Sequence, residues 1–184
     1  EPRTQNLEPR TVTPETFWTS TLFALAFVPM LLEARRSAAN ERALRATGAV
    51  EPAGDVYALM QVAYPLCFLA IVVEAWARGA GFGWTALAGG LVFISAKALK
   101  YWAVGTLGER WTFRVLVPPG SARTLRGPYR LLRHPNYLAV VGELAGFALL
   151  ARAPVAGALS LAAFGALLVV RVRVEERALG LRSR

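Results

Sequence analysis

The densest group of reactive side chains is Gly127-Pro128-Tyr129-Arg130-Leu131-Leu132-Arg133-His134-Pro135-Asn136-Tyr137, which contains the single histidine of the chain and runs straight into an apolar stretch. Pro135 suits a first helical position, where its missing N–H has no intrahelical acceptor to lose. The amides that follow, of Asn136, Tyr137 and Leu138, then point out of a helix start and favour an anion such as a carboxylate. The faces of Tyr129 and Tyr137 attract a cation such as a sulfonium. Together these features suit a zwitterionic ligand. The competing reading places Arg130, Arg133 and His134 at lipid headgroups with the two tyrosines as interfacial anchors.

A second group, Arg171-Val172-Arg173-Val174-Glu175-Glu176, follows the last apolar run. Arg171 and Glu175 are four apart and share a helix face, which by itself gives a surface ion pair. Their position makes them more than that. The last two apolar runs, Tyr137–Leu150 and Pro154–Val170, are joined only by Ala151, Arg152 and Ala153. They therefore form a tight antiparallel hairpin that returns residues 171–176 to the level of 134–137. Glu143 lies within the first arm of that hairpin, and an acid inside a membrane span is a functional candidate by default. It serves either as a base or in a pairing with Arg171 or Arg173. Glu74 and Lys97 lie nearer the ends of their runs, where reaching to the interface accounts for them.

The elements that must position these groups are apolar. Of 184 residues, 55% are hydrophobic and 18% charged, which is a membrane composition. Five runs, Phe17–Leu32, Tyr57–Trp76, Phe82–Leu99, Tyr137–Leu150 and Pro154–Val170, are too many and too spread for a signal peptide. Pro29 and Pro65 predict kinks, and Ala86, Ala88, Gly89 and Gly90 predict close approach of a neighbour to the third helix. Seventeen of the 21 Lys and Arg fall in 33–56, 97–137 and 171–184, so these segments are expected in the cytoplasm. The net charge of +9 thus follows membrane topology rather than a nucleic-acid surface. Residues 107–133 form the one long polar connection, with a short strand expected over Trp111–Val117 before the Pro118-Pro119-Gly120 turn. Glu1–Thr13 reads as a poorly ordered tail, and Cys67 as a buried apolar residue. The fold expected is an all-α integral membrane protein of about five transmembrane helices, a single domain over 1–184.

The pattern Gly127-x-Tyr129-x-x-x-Arg133-His134-Pro135-Asn136-Tyr137, then Arg171-x-x-x-Glu175-Glu176-x-x-Leu179, resembles the signature of the isoprenylcysteine carboxyl methyltransferase family. That resemblance implies binding of S-adenosylmethionine by Tyr129, His134, Pro135, Asn136, Tyr137 and Glu175. It places Arg171 at the substrate end. Ala39-Asn40-Glu41-Arg42-Ala43-Leu44 and Gly48-Ala49-Val50-Glu51 resemble bacterial members associated with polyketide lipids, which implies an alkylpyrone or phenolic hydroxyl as an alternative to a prenylcysteine-like carboxylate. Members usually continue past the Glu-Glu pair with an aromatic, basic tail, whereas this sequence stops at Arg184.

Methyl transfer from a sulfonium is an in-line displacement that needs alignment and exclusion of water, and no metal. One histidine, one cysteine and scattered acids make no metal ligand set. The catalytic candidates are Arg171, to orient a carboxylate, and Glu143, to take the proton of a hydroxyl. The partners expected are a lipophilic or lipidated substrate and membrane lipids, with the site at the cytoplasmic face of a bacterial inner membrane. The rival readings are a nicotinamide-dependent membrane reductase and a small transporter or scaffold without catalysis.

Overall fold

A computed structural model of the chain describes residues 13–120 and 124–178. Among the described residues five α-helices follow one another: α1 (Pro14–Ala46), α2 (Tyr57–Ala77), α3 (Trp84–Leu107), α4 (Pro135–Leu150) and α5 (Pro154–Ala178). α1, α2, α5 and the α3 segment are long and apolar enough to cross a membrane, while α4 is shorter. The protein is an all-α, multi-pass membrane protein. Of the tail at Glu1–Thr13, residues 1–12 lie outside the described residues; Thr13 caps α1, its hydroxyl accepting from the amide of Thr16 at 3.2 Å.

Two sequence expectations about the connecting segments need correction. Most of the connection expected at 33–56 is helix, because α1 continues to Ala46 through a stretch of good helix formers closed by the Glu41–Arg45 pair at 2.9 Å. No strand forms over Trp111–Val117 among the described residues. The backbone donors there go to side chains, Phe113 N to Ser37 Oγ at 2.7 Å and Val115 N to Asp55 Oδ2 at 3.2 Å, so one antiparallel bridge, Val50 with Val117, is what remains. α1 and α2 both run on through Pro29 and Pro65.

α4 is the hub. Its 16 residues extend about 24 Å, less than the ~30 Å of a hydrocarbon core, and nine of them are buried. Neighbouring helices thus shield it from lipid. The contact with α3 is backbone to backbone: a Cβ at Gly146 would collide with Phe93 N, and one at Gly89 with Leu150 N. The turn at Ala151–Ala153, with Arg152 at φ 54°, closes the hairpin onto α5. A Cβ at Gly157 would collide with Ala148 Cβ, so the two arms lie close. Glu74 does not reach for the interface. It accepts from the amides of Val155 (3.3 Å) and Ala156 (2.5 Å), capping the start of α5 from α2.

Candidate functional site

The site begins where α4 begins. Gly127, at φ +53° and with Thr106 Oγ1 filling the space a Cβ would need, docks the short 3₁₀ turn Gly127–Arg130 onto the end of α3. That turn presents Tyr129, whose phenol is pushed above its ordinary value by burial and by the charge of Glu175, and so stays neutral. His134 is the residue before α4, and Pro135, buried, is its first helical residue. The amide of Leu138 bonds the carbonyl of His134 at 3.1 Å, so the outward-pointing pair reduces to Asn136 and Tyr137.

The short hairpin brings the second group onto this helix start. Tyr137 donates to Glu175 Oε2 at 2.6 Å. His134 lies 3.3 Å from Glu176 Oε1 and 3.9 Å from Glu175 Oε2, with its ring stacked on Tyr137 at a centroid distance of 5.5 Å. Asn136 Oδ1 is buried and has no hydrogen-bond partner among the described residues. A buried acceptor with nothing to accept is costly and is expected to be completed by a ligand or water.

Arg171 lies behind this group, buried, with each of its three guanidinium nitrogens donating to another residue. Nε donates to the Tyr137 hydroxyl at 3.1 Å, Nη1 to Asp55 Oδ1 at 3.1 Å, and Nη2 to the carbonyl of Phe113. Asp55, in the turn before α2, and the Phe113 carbonyl were not legible as site groups. Residues 108–114 of the connection are held over them: Trp111 is 2% exposed, Asn40 bonds the carbonyls of Gly108 (3.2 Å) and Trp111 (2.7 Å), and Arg114 pairs with Glu51 (2.8 Å) and Glu41 (3.0 Å). Burial works to raise the Glu51 carboxyl, but hydrogen bonds from Arg114 and Arg45 outweigh it and hold the group below the ordinary carboxylate range.

Glu143 is wholly buried and does not meet Arg171. Its Oε2 accepts from the Tyr64 hydroxyl at 2.5 Å and lies 3.2 Å from Lys97 and 3.3 Å from Lys100. Glu33 faces the same two lysines at 2.9 and 2.5 Å. Lys97 is therefore part of an internal cluster rather than an interfacial residue. The second oxygen of Glu143, Oε1, is buried without a partner among the described residues. α2 connects the two centres: Met60 touches Arg171, and Tyr64, one turn on, touches Glu143.

A bundle of apolar helices with paired polar groups at the mouth of its last hairpin has the architecture of a multi-pass membrane protein. Residues 88–180 match the isoprenylcysteine carboxyl methyltransferase (ICMT) family, and the chain belongs to it. It is 32% identical over 165 residues to the uncharacterized protein YpbQ of Bacillus subtilis, a match that covers 89% of this chain and 96% of that one. It is 27% identical over 159 residues to an uncharacterized protein of Haemophilus influenzae, covering 86% and 90%. No solved structure matches at a significant level. Membership points to a membrane methyltransferase.

Proposed function

We propose that the protein transfers a methyl group from S-adenosylmethionine to an oxygen of a lipophilic acceptor at the cytoplasmic face of the membrane. The observation that carries this reading is the gathering of His134, Tyr137, Glu175 and Glu176 around the start of α4, where Asn136 Oδ1 is buried and unpartnered. The donor set suits a zwitterion. The amides of Asn136 and Tyr137 face an anion, and Glu175, Glu176 and the tyrosine faces favour a cation. S-adenosylmethionine supplies an electrophilic methyl on a sulfonium. Tyr129, His134, Pro135, Asn136, Tyr137 and Glu175 are the residues that hold it in this reading.

The chain's own contribution is placement and dryness. Tyr137 is fixed from both sides, accepting from Arg171 and donating to Glu175, so the carboxylate next to the cofactor is oriented by two coupled bonds. The acceptor is a carboxylate or hydroxyl of a prenylcysteine-like or alkylpyrone or phenolic lipid. For a hydroxyl, Glu143 Oε1 is the oxygen assigned to receive the proton.

Calorimetry of S-adenosylmethionine and S-adenosylhomocysteine with the detergent-purified protein tests the reading. Glu175→Gln removes a charged partner and should weaken binding by roughly ten- to a hundredfold, the range of a charge-assisted hydrogen bond. An unchanged affinity, with the melting temperature also unchanged, overturns the assignment of Glu175.

A further inference from the structure

We infer that Asp55 is a positioning residue for the candidate site: with the Phe113 carbonyl it draws Arg171 away from Glu175, so the Glu175 charge stays available to a cationic ligand while residues 113–115 are docked. This deepens the methyl-transfer reading and rests on it for the identity of the ligand. Arg171 and Glu175 lie four residues apart on α5, the spacing at which a guanidinium and a carboxylate ordinarily pair. They do not pair here. Arg171 makes its ion pair with Asp55 at 3.1 Å instead, and Glu175 accepts from the Tyr137 hydroxyl at 2.6 Å.

The two groups that steer the guanidinium also hold each other in place. Nη1 donates to Asp55 Oδ1 and Nη2 to the Phe113 carbonyl, while Asp55 Oδ2 accepts from the Val115 amide at 3.2 Å. Asp55 thereby ties the turn before α2, the overlying connection and α5 together, with its side chain only 3% exposed. Among the described residues, the rest of the backbone anchoring of 113–117 on other elements is Phe113 N on Ser37 Oγ at 2.7 Å and the bridge of Val117 with Val50. A stretch held by so few backbone bonds opens locally at low cost. Its opening removes the Phe113 carbonyl from the guanidinium and the Val115 amide from Asp55 at once. Glu175, on the same helix face as Arg171, is then the competing acceptor. A direct Arg171–Glu175 pair would consume the carboxylate that favours a ligand cation and would break the chain in which Tyr137 accepts from Arg171 and donates to Glu175. The docked and collapsed arrangements exclude one another. A ligand whose cation sits on Glu175 favours the docked one, and by reciprocity docking strengthens the ligand.

The test uses the full-length protein in detergent with S-adenosylhomocysteine, whose ammonium group supplies the cation. Saturating ligand should slow amide exchange of a peptide spanning residues 113–117, read by mass spectrometry, by about fivefold or more, the lower end of coupling between sites. Binding without any slowing overturns the inference and requires no variant to fold. Asp55→Asn keeps the side-chain shape but releases the guanidinium, and should weaken calorimetric binding roughly tenfold, the scale of one hydrogen bond to a charged group. The deciding comparison adds Glu175→Gln. If Asp55 acts by keeping Arg171 off Glu175, Asp55→Asn costs little further affinity once Glu175 is neutral. Full additivity of the two losses makes Asp55 a support of the fold alone and overturns the inference. Ser37→Ala loosens the same stretch without changing any charge and should weaken binding several-fold. Faster exchange in that variant with unchanged affinity overturns the inference equally. Failure of the native protein to bind S-adenosylhomocysteine removes the methyl-transfer reading and this inference with it, whereas the other adverse outcomes remove the inference alone.

Discussion

The two buried polar centres of this protein satisfy their charges by different means. Around Arg171 a single cation is held by a turn carboxylate, a carbonyl of the overlying connection and a phenol on α4. Around Glu143 two acids and two lysines from α1, α3 and α4 neutralise one another directly, with Tyr64 of α2 as the added donor. The first arrangement depends on where two connecting segments lie, so it can respond to what binds beside it. The second depends on helix packing alone. It ties α1, α3 and α4 together at one depth and fixes how they sit against one another.

The comparison breaks most severely at Glu143. Glu143→Gln leaves Lys97 and Lys100 to share Glu33, and removing one member of a buried pair costs about 3–5 kcal/mol. Thermal or denaturant unfolding in detergent should show that loss. Combining Glu143→Gln with Lys100→Met should cost less than the sum of the two, since the second change removes the stranded charge. Simple additivity would mean that the lysine and the glutamate do not depend on each other.

A smaller effect is expected from Arg171→Lys. An ammonium cannot reach Tyr137, Asp55 and Phe113 from one planar fork. The variant should fold, with about 1–2 kcal/mol lost in hydrogen bonds. It should also bind S-adenosylhomocysteine several-fold more weakly because Tyr137 is no longer fixed. Unchanged affinity would show that Tyr137 keeps its place without the guanidinium.

The smallest effect concerns the rim of the Arg171 centre. The Glu51 carboxyl is depressed on folding, so its contribution is complete above the ordinary carboxylate value near about 4.3 and is lost as pH falls through its lower folded value. Melting temperatures of the native protein and Glu51→Gln should differ at neutral pH and converge under acid conditions. A constant gap across that range would remove Glu51 from the acid response.

The hairpin and the meeting of its two ends were legible because a three-residue connection leaves the arms almost no freedom of register. From that alone, Tyr137 and His134 had to meet Glu175 and Glu176. The partner of Arg171 was not legible. Asp55 is 116 residues away in a polar turn, and nothing local distinguishes it from a solvated loop acid. Glu33, Lys97 and Lys100 were hidden for a related reason: each lies near the end of an apolar run, where a charge ordinarily snorkels. A signal was nonetheless present, since Lys97 and Lys100 are three apart on one helix face and demand acids on another. Lys97, Lys100 and Arg171 are paired inside the protein and do not belong to a polar loop surface. Without them the cytoplasmic bias remains fourteen to four. The strand expected at 111–117 failed because its pattern reported only apolar contact, whereas its amides are claimed by Ser37 and Asp55.

The quartet also imposes an order on biogenesis. α1 carries Glu33 into the bilayer first, α3 follows with two lysines, and Glu143 arrives last, on the shortest helix. A charge opposes insertion by about 3 kcal/mol at mid-span and by less toward the end of an apolar run, where Lys97 and Lys100 lie, so α3 enters less readily alone than a wholly apolar helix would. Glu33 is the counter-charge already waiting for it. The α4–α5 hairpin then arrives at a surface that displays ammonium groups at the depth of its own acid, and its entry is a docking event between partly folded segments. A ribosome-bound chain deprived of α1 would strand two lysines in lipid before their second partner had been synthesised.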